Sequence, residues 1–141
     1  MIRRLSSLFI ALGFVIAMVV TTSAVPFAMR IKADVPFDFY VGKKLFPKGD
    51  YIIESVNDAG TMVIRSAKKG KARNFTVIKS KMTDKPKSKL VFHRYGDQYF
   101  LARIWDGSSD TVLKLDKSSL EKKAAKDAKK ENPDEVPVND K

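Results

Sequence analysis

The chain has 141 residues, a formal net charge of +11 and no cysteine. This length suits one domain, and the lack of cysteine excludes a disulfide scaffold, thiol catalysis and zinc–thiolate sites. The excess of positive charge favours polyanionic partners such as nucleic acid, anionic lipid, lipopolysaccharide or acidic glycans.

The first 24 residues are typical of a secretory signal peptide. Arg3 and Arg4 precede an uncharged apolar run, Leu8–Val20, and the small residues up to Ala24 suit signal peptidase. The run is too short to span about 30 Å of hydrocarbon comfortably as a helix. The alternative is an uncleaved anchor, which Pro26 opposes. We therefore expect an exported protein, in the periplasm or the medium, that meets the membrane only through this segment.

The next segment predicts β-structure. Apolar side chains occupy every second position of residues 31–41 (Ile31, Ala33, Val35, Phe37, Phe39 and Val41). A period of two over this length indicates a half-buried strand. Pro36 cannot donate to a ladder, so the run is either an edge strand or two strands separated by a bulge.

Two hairpins follow. The first pairs Tyr51–Val56 with Thr61–Ser66 around a four-residue loop, with Ile53 opposite Ile64. The second pairs Lys89–Tyr95 with Gln98–Trp105 around Gly96-Asp97, a two-residue hairpin signal. That turn sets His93 opposite Phe100 and Val91 opposite Ala102. Both faces of the second hairpin are largely apolar, so we expect it to be central in the fold and covered on both sides.

Further strands are predicted at Arg73–Lys79 and Thr111–Leu115. The pattern indicates an all-β fold, a single antiparallel β-sandwich or partly open barrel of seven to eight short strands. A capping-box pattern at Ser118 to Glu121 opens a segment rich in Ala, Lys and Glu, for which we expect a solvated helix. From Pro133 onward, composition favours disorder. The predicted organisation is a signal peptide at 1–24, a β domain at 25–117 and a charged helical or disordered tail at 118–141.

The strongest candidate site is a basic segment between residues 68 and 89. It carries nine basic residues against the single acid Asp84, a net charge of +8: Lys68, Lys69, Lys71, Arg73, Lys79, Lys81, Lys85, Lys87 and Lys89. Such a cluster would release counterions on meeting a polyanion. No specific nucleic-acid motif accompanies it. The competing interpretation is that these lysines are solvated and protect edge strands from aggregation.

Three weaker candidates remain. His93, the single histidine, is expected to be a packed residue, since no nucleophile is placed beside it. Asp106 and Asp110 form an acidic turn that could hold Ca²⁺ weakly, although ordinary turn chemistry explains it as well. Eight aromatic residues either line a ligand cavity or fill the core: Phe37, Phe39, Tyr40, Phe92, Tyr95, Tyr99, Phe100 and Trp105. We assign no catalytic residue, metal or cofactor.

Several motifs resemble a functionally unassigned family of short secreted proteins of soil bacteria. They are Val-Pro-Phe-Asp-Phe from Val35, Phe-Pro-Lys-Gly-Asp-Tyr from Phe46, Leu-Val-Phe-His-Arg-Tyr-Gly from Leu90 and Tyr-Phe-Leu-Ala-Arg-Ile-Trp from Tyr99. The resemblance covers roughly residues 31–121. It implies export and a single β domain, and it supplies no activity or site.

These observations predict an exported, non-enzymatic β module that acts by binding or as an envelope component. Its expected partner is an anionic glycan, lipopolysaccharide or other polyanion, bound through the basic segment. A small-ligand carrier with an aromatic-lined cavity is the alternative, and an enzyme of unknown type comes third. The oligomeric state is left open.

Overall fold

The computed structural model describes residues 29–68, 70–83, 87–107, 109–128 and 132–137. The predicted signal peptide lies outside these residues. Within the described ranges, no helix is both long and apolar enough to cross a membrane.

Two β-sheets face each other in a sandwich-like arrangement that is not closed into a barrel, which confirms the predicted all-β class. In chain order the elements are β1 (Arg30–Val35), β2 (Phe39–Val41), β3 (Lys44–Phe46), β4 (Gly49–Ser55), β5 (Thr61–Ser66), β6 (Ala72–Thr76), β7 (Ile78–Lys81), β8 (Lys89–Tyr95), β9 (Gln98–Trp105), β10 (Thr111–Lys114), α1 (Ser119–Asp127) and β11 (Asn132–Pro137). Sheet A has the order β1-β4-β5-β6, and sheet B has the order β11-β8-β9-β10-β7, with β2 beside β9 and β3 beside β2. The described residues thus form more strands than the seven to eight expected.

Pro36 separates two strands that belong to different sheets. β1 is an edge strand of sheet A, whereas β2 contacts β9 of sheet B through a parallel bridge between Tyr40 and Phe100. Alternate side chains are buried on both sides of the break, from Ile31 to Val41. The period of two therefore predicted the buried face correctly, and the proline marks the point where the chain passes from one sheet to the other.

A second crossing divides the strand predicted at Arg73–Lys79. β6 ends at Thr76 as the edge of sheet A, and β7 begins at Ile78 as the edge of sheet B. The residue between them, Val77, is buried, and its amide donates to the carbonyl of Gly60 at 2.9 Å. Prediction of a single strand was wrong because a period-two pattern continues through a change of sheet.

The register of both hairpins was largely predicted. Ile53 pairs with Ile64, and His93 pairs with Phe100. Val91, however, pairs with Arg103 and not with Ala102, because the β8–β9 ladder shifts between Val91 and Phe92. A β-bulge of this kind leaves one residue of one strand unpaired and bends that strand. The shift places Ile104 in the same buried cluster as Leu90.

Aromatic rings fill the space between the sheets. Phe39 lies 5.7 Å from Phe46 and 5.3 Å from Phe92 between ring centroids, and Phe37 meets Phe92 edge to face at 5.0 Å. Edge-to-face and offset contacts at these distances are the favoured aromatic geometries. The buried members of the aromatic set thus pack against one another as core.

The C-terminal residues differ most from expectation. The predicted helix is present, but its inner face is buried: Ala124 clusters with Tyr95 and Phe100 on the outer side of sheet B. Most of α1 is exposed or half-buried, in keeping with the expected solvated helix, and only Glu121 and Ala124 are buried against sheet B. The expectation of disorder from Pro133 onward was wrong for residues 133–137, which with Asn132 pair with β8 as β11.

The contact of Gly60 with Val77, where the chain crosses between the sheets, can be tested with a matched control. Gly60 and Gly70 both have positive φ, +93° and +65°, which costs any residue with a Cβ about 1–2 kcal/mol. A Cβ at Gly60 would also lie 2.6 Å from the Val77 carbonyl oxygen, whereas a Cβ at Gly70 meets nothing within 4 Å. We expect Gly60→Ala to lower the free energy of unfolding by about 1–3 kcal/mol more than Gly70→Ala, because of this overlap. Denaturant unfolding measures both, and equal losses would contradict the crossing geometry.

Candidate polyanion-binding edge

The basic segment runs from the edge strands β6 and β7 to the start of β8, which β9 and β10 separate from β7 in sheet B. Arg73 lies on β6, and Lys79 and Lys81 lie on β7, so these three belong to the edge strands of the two sheets. The others lie in the connections or at the start of β8: Lys68, Lys71, Lys87 and Lys89. Lys69 and Lys85 lie outside the described residues. The segment therefore forms a basic edge, which we define as the described cations from Lys68 to Lys89.

Three cations of the basic edge are engaged within the protein. The ammonium of Lys68 lies 3.7 Å from a carboxylate oxygen of Asp50, and that of Lys79 donates to the Asp58 carbonyl at 2.9 Å. Lys89 sits over the ring of Trp105 at 5.5 Å. Their charges are partly offset or held in place, so they are the weaker candidates for a ligand contact.

Four cations remain open to solvent. Lys71, Arg73, Lys81 and Lys87 are exposed, and in the described ranges none of them forms an ion pair. These four cations do not converge on one pocket. Lys71 and Lys81 are ten residues apart, which corresponds to a distance of up to about 33 Å along an extended chain. Arg73 lies on the edge strand β6, Lys81 lies on the edge strand β7, and Lys71 and Lys87 lie in connections; we call this row of separated charges the stripe.

The acidic turn adjoins one end of the stripe. The amide of Met82 donates to the Asp110 carbonyl at 2.7 Å, and the amide of Gly107 donates to Ser88 Oγ at 2.9 Å. These bonds join the β7–β8 connection to the turn that contains Asp106 and Asp110. Among the described residues, no group of three or more possible metal ligands comes together. The turn is thus hydrogen-bonded to the β7–β8 connection at both Met82 and Ser88.

His93 has a partner that was not expected. Its Nδ1 lies 2.8 Å from Oε1 of Glu121, and the Tyr95 hydroxyl donates to the same oxygen at 3.2 Å. Glu121 is only 4% exposed. A buried carboxylate is costly unless hydrogen-bonded, so this cluster fixes the first turn of α1 against β8. In a capping box, the Glu121 side chain would bond to the first turn of its own helix. Its contact with His93 could not be predicted, because the two residues are 28 positions apart in the chain.

Ser118 behaves as the pattern predicted and adds a tertiary contact. Its Oγ accepts from the amide of Glu121 at 3.1 Å, which caps α1, and its hydroxyl donates to the Gly42 carbonyl at 3.1 Å. The start of α1 is thus attached to the β2–β3 turn as well as to β8.

A polar cleft of about 340 Å³ lies at one end of sheet A. Its lining includes Asp34, Lys48, Asp50, Tyr51 and Lys68. The Tyr51 hydroxyl donates to the Pro47 carbonyl. Burial, and secondarily the negative charge of Asp38, raise the pKa of the Tyr51 phenol above 10.0. With both signs of charge in its wall, the cleft does not select anions.

No family model matches the chain, and neither curated proteins nor solved structures include a match. The resemblance to secreted soil-bacterial proteins therefore stays a prediction.

The Glu121 cluster predicts a stability effect. Glu121→Ala should lower the free energy of unfolding by about 1–3 kcal/mol, because it removes the acceptor from two partly buried donors. Alanine has the higher helix propensity, which opposes the loss. Lys122→Ala, on the exposed side of α1, should change stability by less than about 0.5 kcal/mol. Thermal unfolding of both variants provides the comparison, and similar values would show that the cluster does not hold the helix.

The Tyr51 phenol predicts a distinct alkaline titration. Because its folded-state pKa is raised, the folded state keeps this proton longer than the unfolded state, and stability falls as pH rises above 10.0. Absorbance at the phenolate band should show a late-titrating amplitude that falls in Tyr51→Phe. Asp38→Asn should lower this pKa only in part, since burial is the larger cause. An unchanged late titration in Tyr51→Phe would refute the assignment.

Proposed function

We propose that this protein is an exported, non-enzymatic β module that binds an extended polyanion along the basic edge. The observation that carries the proposal is the set of four exposed cations that form no ion pair with any described residue: Arg73 and Lys81 on the edge strands β6 and β7, Lys71 just before β6, and Lys87 just before β8. Free cations release counterions and contribute binding energy on contact with a polyanion, whereas cations already paired contribute less.

The arrangement of these cations favours a polymer over a small anion. A single phosphate or carboxylate is held by convergent donors, whereas Lys71 and Lys81 are separated along the edge by ten residues. A linear anionic glycan or the anionic part of lipopolysaccharide presents charges at intervals and can follow such a stripe. The predicted signal peptide is consistent with this choice, because export would bring the module to these polymers.

Nucleic acid is a poorer fit. Single-strand binding surfaces combine cations with exposed aromatic rings on which bases stack. Phe75, the aromatic residue within the basic segment, packs against the main core instead. The basic edge therefore lacks a stacking platform among the described residues.

The small-ligand carrier is the weaker alternative. The rings proposed to line a cavity contact one another: Phe37 stacks on Tyr99 at 3.8 Å, and Tyr40 stacks on Phe100 at 4.9 Å. These contacts support the core interpretation of the aromatic set and give the carrier hypothesis no support.

Heparin and lipopolysaccharide retention at low salt tests the proposal. The variant Lys71→Gln, Arg73→Gln, Lys81→Gln should elute at clearly lower salt than the unmodified protein. For this triple variant, the slope of log affinity against log salt concentration should be smaller in magnitude by about 2. Each lost phosphate contact lowers that slope by about 0.7–0.9.

The matched control removes the same charge elsewhere. Lys122→Gln, Lys123→Gln, Lys126→Gln takes three exposed cations from α1. We expect this variant to keep most of the retention. Equal shifts for the two triple variants would mean that net charge alone drives binding, and the basic edge would lose its role.

A further inference from the structure

The face of sheet B that points away from sheet A carries a pair of cations outside the basic edge. Arg103 on β9 and Lys114 on β10 are direct partners in the antiparallel ladder. Their chain neighbours Ile104 and Leu113 belong to the core between the sheets. Because side chains alternate along a strand, Arg103 and Lys114 point to the outer face, and both are exposed.

The hydrogen-bonding pattern of the ladder brings these two side chains close together. The amide of Leu115 donates to the Ala102 carbonyl at 2.9 Å, so Ala102 and Leu115 occupy a hydrogen-bonded pair position. Such positions alternate along an antiparallel ladder, and Arg103 and Lys114 therefore form a non-hydrogen-bonded pair. In pairs of this kind the side chains are closer, with Cα atoms about 4.5 Å apart. A guanidinium and an ammonium placed in this way can reach the same bound group.

No carboxylate among the described residues neutralises this pair. Neither Arg103 nor Lys114 takes part in an ion pair or a side-chain hydrogen bond, and Asp116, two residues after Lys114, forms no ion pair with it. Like charges directly opposite each other in a sheet are destabilising. An anion bound between the two cations would remove this repulsion and accept charge-assisted hydrogen bonds from both.

The outer face of sheet A shows how this protein neutralises cations on neighbouring strands. Arg30 on β1 and Arg65 on β5 lie on either side of β4, and Glu54 of β4 contacts both, at 3.2 Å and 3.0 Å. Arg103 and Lys114 have no such acid in the part of the chain that the structure describes. The pair on sheet B thus has the place of an anion without an anion of its own.

Apolar side chains flank the cation pair. Trp105, the single tryptophan of the chain, follows Arg103 by two residues on the same face and lies opposite Val112. Its ring is buried, and its Nε1 has no acceptor within the described ranges. On the other flank, Ile78 lies opposite Lys114 and is 56% exposed. An exposed isoleucine beside the cations favours an anionic group that is attached to a carbon skeleton.

We propose that Arg103 and Lys114 form a binding subsite for one phosphate or sulfate ester group. The planar guanidinium of Arg103 offers parallel N–H donors to two oxygens of such a group, and the Lys114 ammonium binds as a point charge. Ile78 contacts the carbon skeleton that carries the ester. The subsite does not depend on the proposed function, because both cations lie outside the basic edge.

The fluorescence of Trp105 reports binding, because this ring adjoins the pair and no other tryptophan contributes. Titration of the full chain with glycerol phosphate should give a saturable change in emission that chloride at the same ionic strength does not give. Arg103→Gln and Lys114→Gln should each weaken binding about tenfold, the loss expected when a hydrogen bond to a charged group is removed. Lys122→Gln, which takes an exposed cation from α1, is the control and should bind as the unmodified chain does.

A second measurement tests the placement of the pair without any ligand. Lys114→Glu and Lys114→Gln both remove the cation, but only glutamate attracts Arg103 across the ladder. Lys114→Glu should therefore unfold at a higher temperature than Lys114→Gln. The double variant Arg103→Glu, Lys114→Glu restores a like-charge pair and should lose this gain.

Heparin distinguishes the two sources of the ester group. Heparin that displaces glycerol phosphate from the variant Lys71→Gln, Arg73→Gln, Lys81→Gln would assign the subsite to a sulfate ester of a polymer. Failure to displace it would assign the subsite to a small phosphate ester, and the site would stand in either case. A fluorescence change no larger than that with chloride, equal affinities in Arg103→Gln and Lys122→Gln, or equal unfolding temperatures for Lys114→Glu and Lys114→Gln would overturn the proposal.

Discussion

Strands β8 and β9 carry large apolar side chains on both faces, and the need to cover both faces is the constraint on which the rest of the structure depends. Sheet A covers the inner face, where Leu90, Phe92 and Ile104 join the main core. Helix α1 covers part of the outer face, over Tyr95 and Phe100. A fold of this size buries only a modest apolar surface, and α1 adds to it through Ala124, so the C-terminal segment packs as part of the sandwich.

This arrangement leaves the edges of the sheets as surfaces available for interaction, and the two sides differ in chemistry. On one side, the adjoining edges β6 and β7 carry separated cations. On the other, β8 is closed by an acidic strand with outward-facing prolines. Both solutions prevent uncontrolled edge-to-edge association. The proposed function uses the first of these features, the charge along β6 and β7.

Local patterns predicted those parts of the fold that depend on neighbouring residues. The alternation in residues 31–41 identified the buried face, and Gly96-Asp97 identified the turn and the first pairs of the β8–β9 hairpin. The bulge after Val91 was missed because a two-residue turn sets the register only near itself. The change of sheet at Val77 was missed because strand alternation is the same in either sheet. The candidate cations were found as a segment, but which of them are free depends on acids from other strands, such as Asp50.

The sequence by itself determined the all-β class, the central hairpin and the position of the basic segment, because side-chain alternation, turn chemistry and charge are properties of adjacent residues. Only the tertiary structure decided that the charged C-terminal residues belong to the domain. Glu121, Tyr95 and His93 are far apart in the chain, and their hydrogen bonds exist only after α1 is laid across β8. Likewise, residues 132–137 have the composition of a disordered tail and become a strand only because β8 offers them an open edge.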